Sequence, residues 1–373
     1  MMNRIRSITV MLAAATASIA APALDEHSAA EPQPAPLRLA VIGLVHGHVE
    51  GLLWQADDRP EIDLVGIYEP DRALFDTMAS KHDLDESLYF DDLNAMLDER
   101  TPEAVSIMTS TFDHLMAAEA CAPRGVHMLV EKPLAVSNAH ATRMADLSLE
   151  HGVHLLTNYE TSWYASVHEA RRLTGENAWY TPVRRAVFRH GHRGPVEIGC
   201  APEFLDWLTD AEQNGAGALF DFGCYGANIM TWLRDGEAPA SVFATAHTNK
   251  PDRYPGVDDD STIVLTYPDA VAIVQGSWSW THDNKSMDLY TPRGSIHCQK
   301  WDAMQVRKPD VEPREINPDP RPQPYGDEWS YLHAIVRGNA SVDPLSSLEN
   351  NLVVVRILDA ARRSVESGKA VTP

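Results

Sequence analysis

Lys132 stands between Glu131 and Pro133, directly after the apolar run from Val126 to Val130. That run reads as a buried parallel strand, which puts the lysine at a strand's carboxyl end, where open α/β sheets bind ligands. Proline fixes its own φ and disfavours helical backbone in the residue before it, so Lys132 is expected to be held extended at the strand mouth. An ammonium there can bind a substrate oxygen and tune a neighbouring acid. A second cluster, Gly217 to Asn228, opens an apolar helical stretch that continues to Leu233. Asp221 and Tyr225 are four residues apart in it, so both are expected to point from one helical face. A phenol is a weak base at its ordinary pKa of about 10, and an adjacent ammonium lowers that value by stabilising the phenolate. Lys132 is expected to be that ammonium, with the helix packed over the sheet mouth.

A third cluster, Ala40 to His48, lies after a first strand and opens a first helix, where a G-x-G-x-x-G/A dinucleotide fingerprint would sit. Gly43 fills the first position. Val45 replaces the second glycine, His48 replaces the third, and Gly47 stands one residue early. The first glycine makes the tight turn and the second lets backbone approach the pyrophosphate. The helix N-terminus still offers N–H donors, to which His46 and His48 add. Glu69 ends the second strand and can accept from a ribose 2′-hydroxyl while repelling a 2′-phosphate, which favours NAD over NADP. Thr109, Ser110 and Thr111 end another strand, and with His114 they are expected to line the cofactor. The pairs His46/His48 and His190/His192 invite a metal reading, but no carboxylate or cysteine spacing completes either, so no metal is expected.

The elements that must position these residues alternate. Strands are expected over 37–44, 63–69, 104–110, 126–130 and 154–159, with helices over 49–57, 72–82, 114–124 and 137–151. That repetition specifies an α/β fold with a doubly wound parallel sheet over 37–158. Beyond Tyr159 the strands follow one another, over 184–188, 241–247, 261–267, 270–280, 287–290 and 294–299. They suggest an α+β region over 159–373 with an open-faced, mostly antiparallel sheet for substrate binding and oligomerisation. A closing helix is expected over 347–367, with Leu348, Leu352 and Val355 at helical spacing.

The 373 residues suit two domains, and the net charge of −22 argues against nucleic-acid or anionic-membrane partners. Arg4 and Arg6 precede a short apolar stretch from Ile8 to Ala21 that ends among small residues. This reads as a signal peptide over 1–23, followed by a stiff proline-rich linker over 24–36, and it places the mature protein in the periplasm or outside the cell. The four cysteines are far apart and indicate no disulfide framework.

Taken together, the Gly43 turn, the Thr109 to His114 segment, Glu131-Lys132-Pro133, Asn158 and the Gly217 to Asn228 motif resemble the glucose–fructose oxidoreductase/inositol dehydrogenase (Gfo/Idh/MocA) family over about Leu37 to Lys369. The resemblance implies a Rossmann domain and an open-faced β-sheet domain with NAD(P) between them. It makes Lys132 the catalytic lysine and Asp221 the motif aspartate. Tyr225 stands where many members have His and Asn228 where many have Asp, as in the glucose–fructose oxidoreductase and pyranose dehydrogenase branch. Val45 and His48 depart from the family's glycines, and Glu160 stands where many members carry Arg.

The implied substrate is a sugar or sugar derivative, contacted by Asn158, Trp163, Arg189, His192 and Asn228, with further aromatic and basic side chains such as Trp278 in reserve. In that scheme Tyr225 takes the hydroxyl proton, hydride passes to the nicotinamide, Lys132 stabilises the oxyanion and Asp221 orients. An exported enzyme would hold its cofactor tightly, and the open sheet suggests a dimer or tetramer. Two other readings share these motifs: an NAD-dependent glycosidase or lyase of the same family, and a non-catalytic sugar-binding protein.

Overall fold

Buried apolar strands build the first sheet of a computed structural model that describes residues 35–373. The expected signal peptide and the expected linker up to Pro34 lie outside the described residues. In chain order the first half runs β1 (Leu37–Ile42), α1 (Val49–Gln55), β2 (Ile62–Tyr68), α2 (Arg72–His82), β3 (Tyr89–Phe90), α3 (Leu93–Arg100), β4 (Ala104–Ile107), α4 (His114–Cys121), β5 (His127–Glu131), α5 (Asn138–His151) and β6 (Leu155–Asn158). All pairings are parallel, in the order β3-β2-β1-β4-β5-β6. Strand order reverses between β1 and β4, and that switch point opens the crevice where such sheets bind nucleotides. Side chains cap the helices that hold the frame: Asp71 starts α2, Asp92 starts α3 and Ser137 starts α5. Periodicity did not announce β3 and α3, because β3 has two residues and α3 a single buried patch of Leu93, Met96 and Leu97.

The second half runs α6 (Ala165–Thr174), β7 (Arg185–Gly191), α7 (Pro202–Leu208), α8 (Ala211–Asn214), α9 (Ala218–Asp221), α10 (Gly223–Leu233), β8 (Ser241–His247), β9 (Asp260–Thr266), β10 (Val271–Ser277), β11 (Asn284–Thr291), β12 (Gly294–Lys300), β13 (Ala303–Arg307), β14 (Arg314–Ile316), α11 (Glu328–Val336) and α12 (Leu348–Ser367). Its eight strands lie in the order β14-β13-β12-β11-β7-β10-β9-β8. Neighbours are antiparallel except β7 and β10, which run parallel. Buried and half-exposed residues alternate along β9 and β10, so one face of the sheet is packed and the other is not.

Helix α10 closes the packed face. A Cβ on Gly226 would come within 2.6 Å of Val274 and 2.9 Å of Phe188, so this glycine lets the helix lie directly on β7 and β10. The chain does not divide at one point. Trp329, Tyr331, Leu332 and Ile335 of α11 return to pack with β1 residues, and α12 contributes Val355 to one core and Val354, Ile357 and Leu358 to another. These returns lock the two sheets into one compact unit over 35–373.

Candidate active site

Lys132 follows β5 at the sheet mouth, where Val130 and Glu131 are fully buried and the ammonium is carried between the two sheets. Its Nζ donates to Asp221 Oδ1 at 2.5 Å. Asp221 closes α9, and its other oxygen accepts from the Trp278 indole N–H at 2.8 Å. Trp278 has no exposed surface and follows β10, so it fixes the aspartate from behind and is not a sugar platform. Burial alone would neutralise both ions. Instead the Asp221 carboxylate outweighs desolvation and holds Lys132 above its ordinary pKa, while Lys132 holds Asp221 below the usual carboxylate range.

Tyr225 lies one turn on, in α10 rather than on the same helix as Asp221, because the chain breaks at Phe222. Its ring is flanked by two ammonium groups, Lys132 Nζ at 5.7 Å and Lys285 Nζ at 5.2 Å from the centroid. His190 stacks on it at 5.4 Å and Tyr159 meets it edge-on at 5.6 Å. The expected lowering of the phenol pKa does not occur. Burial, then the Glu160 carboxylate, pushes it well above its ordinary value, and Lys132 faces the ring with its charge already committed to Asp221. The resting phenol is neutral. Lys285 was not found from sequence, since nothing local marks it; it is the cross-strand partner of His190 in β11 and pairs with Glu160, which also accepts from the Tyr164 hydroxyl.

Glu131 is the hub of the neighbouring turn. Asn158 donates to its Oε1 at 3.0 Å, and His48 Nδ1 lies 3.1 Å from its Oε2. Burial would raise the Glu131 pKa, but His48, His46 and Lys132 outweigh it and keep the carboxylate ionised. In return, Glu131 overcomes desolvation to raise half-exposed His48. Contrary to the expectation from spacing, a carboxylate does complete the His46/His48 pair: ligand atoms of His46, His48 and Glu131 lie within 4.8 Å of one another. The His48 backbone N–H donates to His46 Nδ1 at 3.2 Å, so the His46 proton sits on Nε2, 3.9 Å from Glu131. A metal on Nε2 would need that proton on Nδ1. Glu131 thus holds His48 by a hydrogen bond, while His46 Nε2 stays buried without a hydrogen-bond partner.

The cofactor residues converge on the β1–β4 switch point. Gly43 has φ +84°, and a Cβ there would come within 2.7 Å of Thr109 Cγ2, so only glycine makes this turn. A Cβ on Gly47 would meet nothing within 4 Å, which leaves that backbone open to a ligand. Val45 packs toward the second core, and its carbonyl accepts from Trp207 Nε1 at 3.2 Å. Glu69 is buried and committed to the turn, accepting from the Leu44 N–H at 2.8 Å and the Asp71 N–H at 3.0 Å. The Ser110 hydroxyl lies 2.8 Å from Gln213 Oε1, and Phe112 N–H donates to the Gln213 carbonyl, so the α7–α8 segment clasps this edge. His114 Nδ1 lies 3.1 Å from the Leu134 carbonyl, and Thr109 is buried against the turn. A dinucleotide fits this crevice: it has a glycine cradle, an open turn, and buried polar atoms of His46, Thr111 and His114 that no protein group satisfies.

Of the expected substrate contacts, His192 alone lines the cavity beside Tyr225; its Nδ1 accepts from Gly194 N–H, leaving Nε2 as a donor. Asn158 is spent on Glu131 and on the Trp163 indole N–H. Trp163 packs against Tyr331 in the first core. Asn228 has no exposed surface and donates to Leu345 O at 2.8 Å, pinning α10 to the start of α12. Arg189 alternates with His190 along β7, so it turns to the uncovered face and pairs with Asp288 at 2.8 Å.

Burial holds two of the site's histidines neutral, His114 at about 4 and His190 at about 3. In the unfolded chain each takes a proton at about pH 6.5. Below that pH the unfolded state binds more protons, so stability falls as pH drops from about 6.5 towards 4. At pH 5 each histidine should cost about 1–2 kcal/mol. Urea midpoints at pH 7, 6 and 5 check this, and a flat profile would contradict it.

The same chain matches two family models: "Oxidoreductase family, NAD-binding Rossmann fold" over residues 37–159, and "GFO/IDH/MocA C-terminal domain" over residues 182–300. A D-xylose 1-dehydrogenase [NADP(+)] from Haloarcula marismortui is 23% identical over 272 residues, 72% of this chain and 74% of that protein. Among solved structures, an aldose–aldose oxidoreductase from Caulobacter crescentus, complexed with glycerol, superimposes with TM-score 0.76 at 22% identity, covering 91% of this chain and all of that one. An inositol dehydrogenase homologue from Azotobacter vinelandii, complexed with NAD+, does so with TM-score 0.77 at 16% identity, covering 91% and 98%.

Proposed function

Because the chain belongs to the Gfo/Idh/MocA oxidoreductase family, we propose that it is an exported oxidoreductase acting on a CH–OH group of a sugar or sugar derivative with a tightly held NAD. The observation that carries this reading is the Lys132–Asp221–Trp278 relay beside Tyr225 at the mouth of the nucleotide-binding sheet.

When bound, the nicotinamide accepts or supplies the hydride. The side chains handle the rest. Lys132, fixed by Asp221, presents an ammonium to the oxygen that gains negative charge. Tyr225, neutral at rest, donates its proton to a carbonyl oxygen in the reducing direction; in the oxidising direction it first releases that proton to solvent, and the phenolate then takes the proton of the substrate hydroxyl. Lys132 and Lys285, each within about 6 Å of its ring centroid, stabilise the phenolate while it exists. His192 Nε2–H orients a second substrate oxygen.

Glu69 supports NAD over NADP, since a buried carboxylate at the end of β2 repels a 2′-phosphate. The clasp of Trp207 and Gln213 over the β1 and β4 edges supports a cofactor that stays bound through successive turnovers. The residue pattern over 1–23 supports export, and the uncovered face of the second sheet supports assembly into a dimer or tetramer. Mass spectrometry of nucleotide released from the denatured, purified protein tests the reading. We expect NAD in near-equimolar amount; a protein that carries none and binds none at millimolar NAD would contradict it.

A further inference from the structure

The cavity beside Tyr225 encloses about 380 Å³, and one of its walls belongs to no part of the site described so far. Phe222 and His192 form the side that adjoins Tyr225, with their ring centroids 5.0 Å apart. Lys300 and Trp301, in the turn from β12 to β13, form another. Trp301 is 53% exposed, although tryptophan is highly buried on average. The turn that carries it is nevertheless fixed. The Trp301 carbonyl accepts from Ser166 N–H at 3.0 Å, and the Ser166 hydroxyl donates to the Lys300 carbonyl at 2.7 Å. A bare indole on an anchored backbone at the lip of a polar cavity offers a flat apolar surface at little ordering cost.

We propose that Trp301 is the platform of an outer subsite that stacks a second sugar ring, so that the substrate is a glycoside whose inner ring reaches Tyr225 rather than a free aldose. The subsite changes no bond. Its assignment rests on the sugar oxidoreductase reading for the identity of the inner ring alone; stacking on the indole needs no cofactor. Glu160 and Lys285 pair in the wall of the same cavity and offer an acceptor and a donor to hydroxyls of the bound rings.

Isothermal titration of the full-length protein with cellobiose, xylobiose, lactose and their component monosaccharides tests this. At least one disaccharide should bind about tenfold or more tightly than its monosaccharides. Trp301→Ala should remove that advantage while leaving monosaccharide affinity unchanged, and Trp301→Phe should keep most of it. Equal affinity for one ring and two, no disaccharide binding, or equal weakening of both by Trp301→Ala would overturn the subsite. So would a change in sedimentation on Trp301→Ala with sugar affinity intact, which would assign the indole to a contact between copies of the chain. Trp301-dependent disaccharide binding in a protein that carries no nucleotide would keep the subsite and remove the oxidoreductase reading. Hydride transfer to monosaccharides with no preference for two rings would do the reverse.

Discussion

Replacing Lys132 with Met is expected to lower kcat/KM for sugar-dependent hydride transfer by about 100- to 1000-fold, the range for loss of one preorganised donor. The effect should fall mainly on kcat, because the ammonium matters most when the substrate oxygen gains charge. The same change strands Asp221, which is almost fully buried and among the described residues keeps only the Trp278 N–H as a side-chain hydrogen-bond partner. Removing one member of a buried pair costs about 3–5 kcal/mol, so the single variant should also unfold at lower urea. Pairing Lys132→Met with Asp221→Asn removes the stranded charge. The double variant should recover most of the stability and none of the activity. Recovery of both would reduce the pair to scaffolding.

Tyr225→Phe should produce a different pattern. It deletes one oxygen and retains the ring that packs on His190 and Tyr159 near two ammonium groups. Among the described residues no protein group is hydrogen-bonded to that hydroxyl, so the unfolding midpoint should move little. Turnover should fall about 100- to 10,000-fold, the span for loss of a positioned proton donor or acceptor. Unimpaired turnover would transfer proton handling to His192, a titratable group that lines the cavity and meets Phe222 edge-on.

The residues that meet at the centre of this site were legible in the sequence because the motifs that carry them are local. Glu131-Lys132-Pro133 ends a recognisable strand, and the Gly217 to Asn228 motif opens a recognisable helix. The environment was not legible, because it is assembled from afar. Trp278 reaches Asp221 across 57 residues, and the carboxylate that joins His46 and His48 lies 83 residues beyond His48. No spacing rule spans such distances. The expected substrate contacts that lie away from the cavity have a common cause: residue type suggested sugar binding, while the direction of the side chain turns them to protein partners. For Arg189 the correction was available in principle. Alternation along β7 sends it away from the face that presents His190. For Asn228 it was not, since its role depends on α12 folding back from more than 100 residues away. The return of α11 to the first sheet was hidden for the same reason. Tyr225 shows the limit of pairing arguments: an ammonium 5.7 Å from the ring does not lower a phenol's pKa when burial dominates and the ammonium already serves a carboxylate.

The most direct test mixes the purified protein and NAD+ with a panel of sugars and glycosides and follows nicotinamide absorbance, in the wild type and in the Lys132→Met/Asp221→Asn variant. The predicted result is sugar-dependent reduction of the nicotinamide by the wild type and none by the folded variant. Equal reduction by both proteins, or sugar binding by the wild type without any reduction, would contradict it.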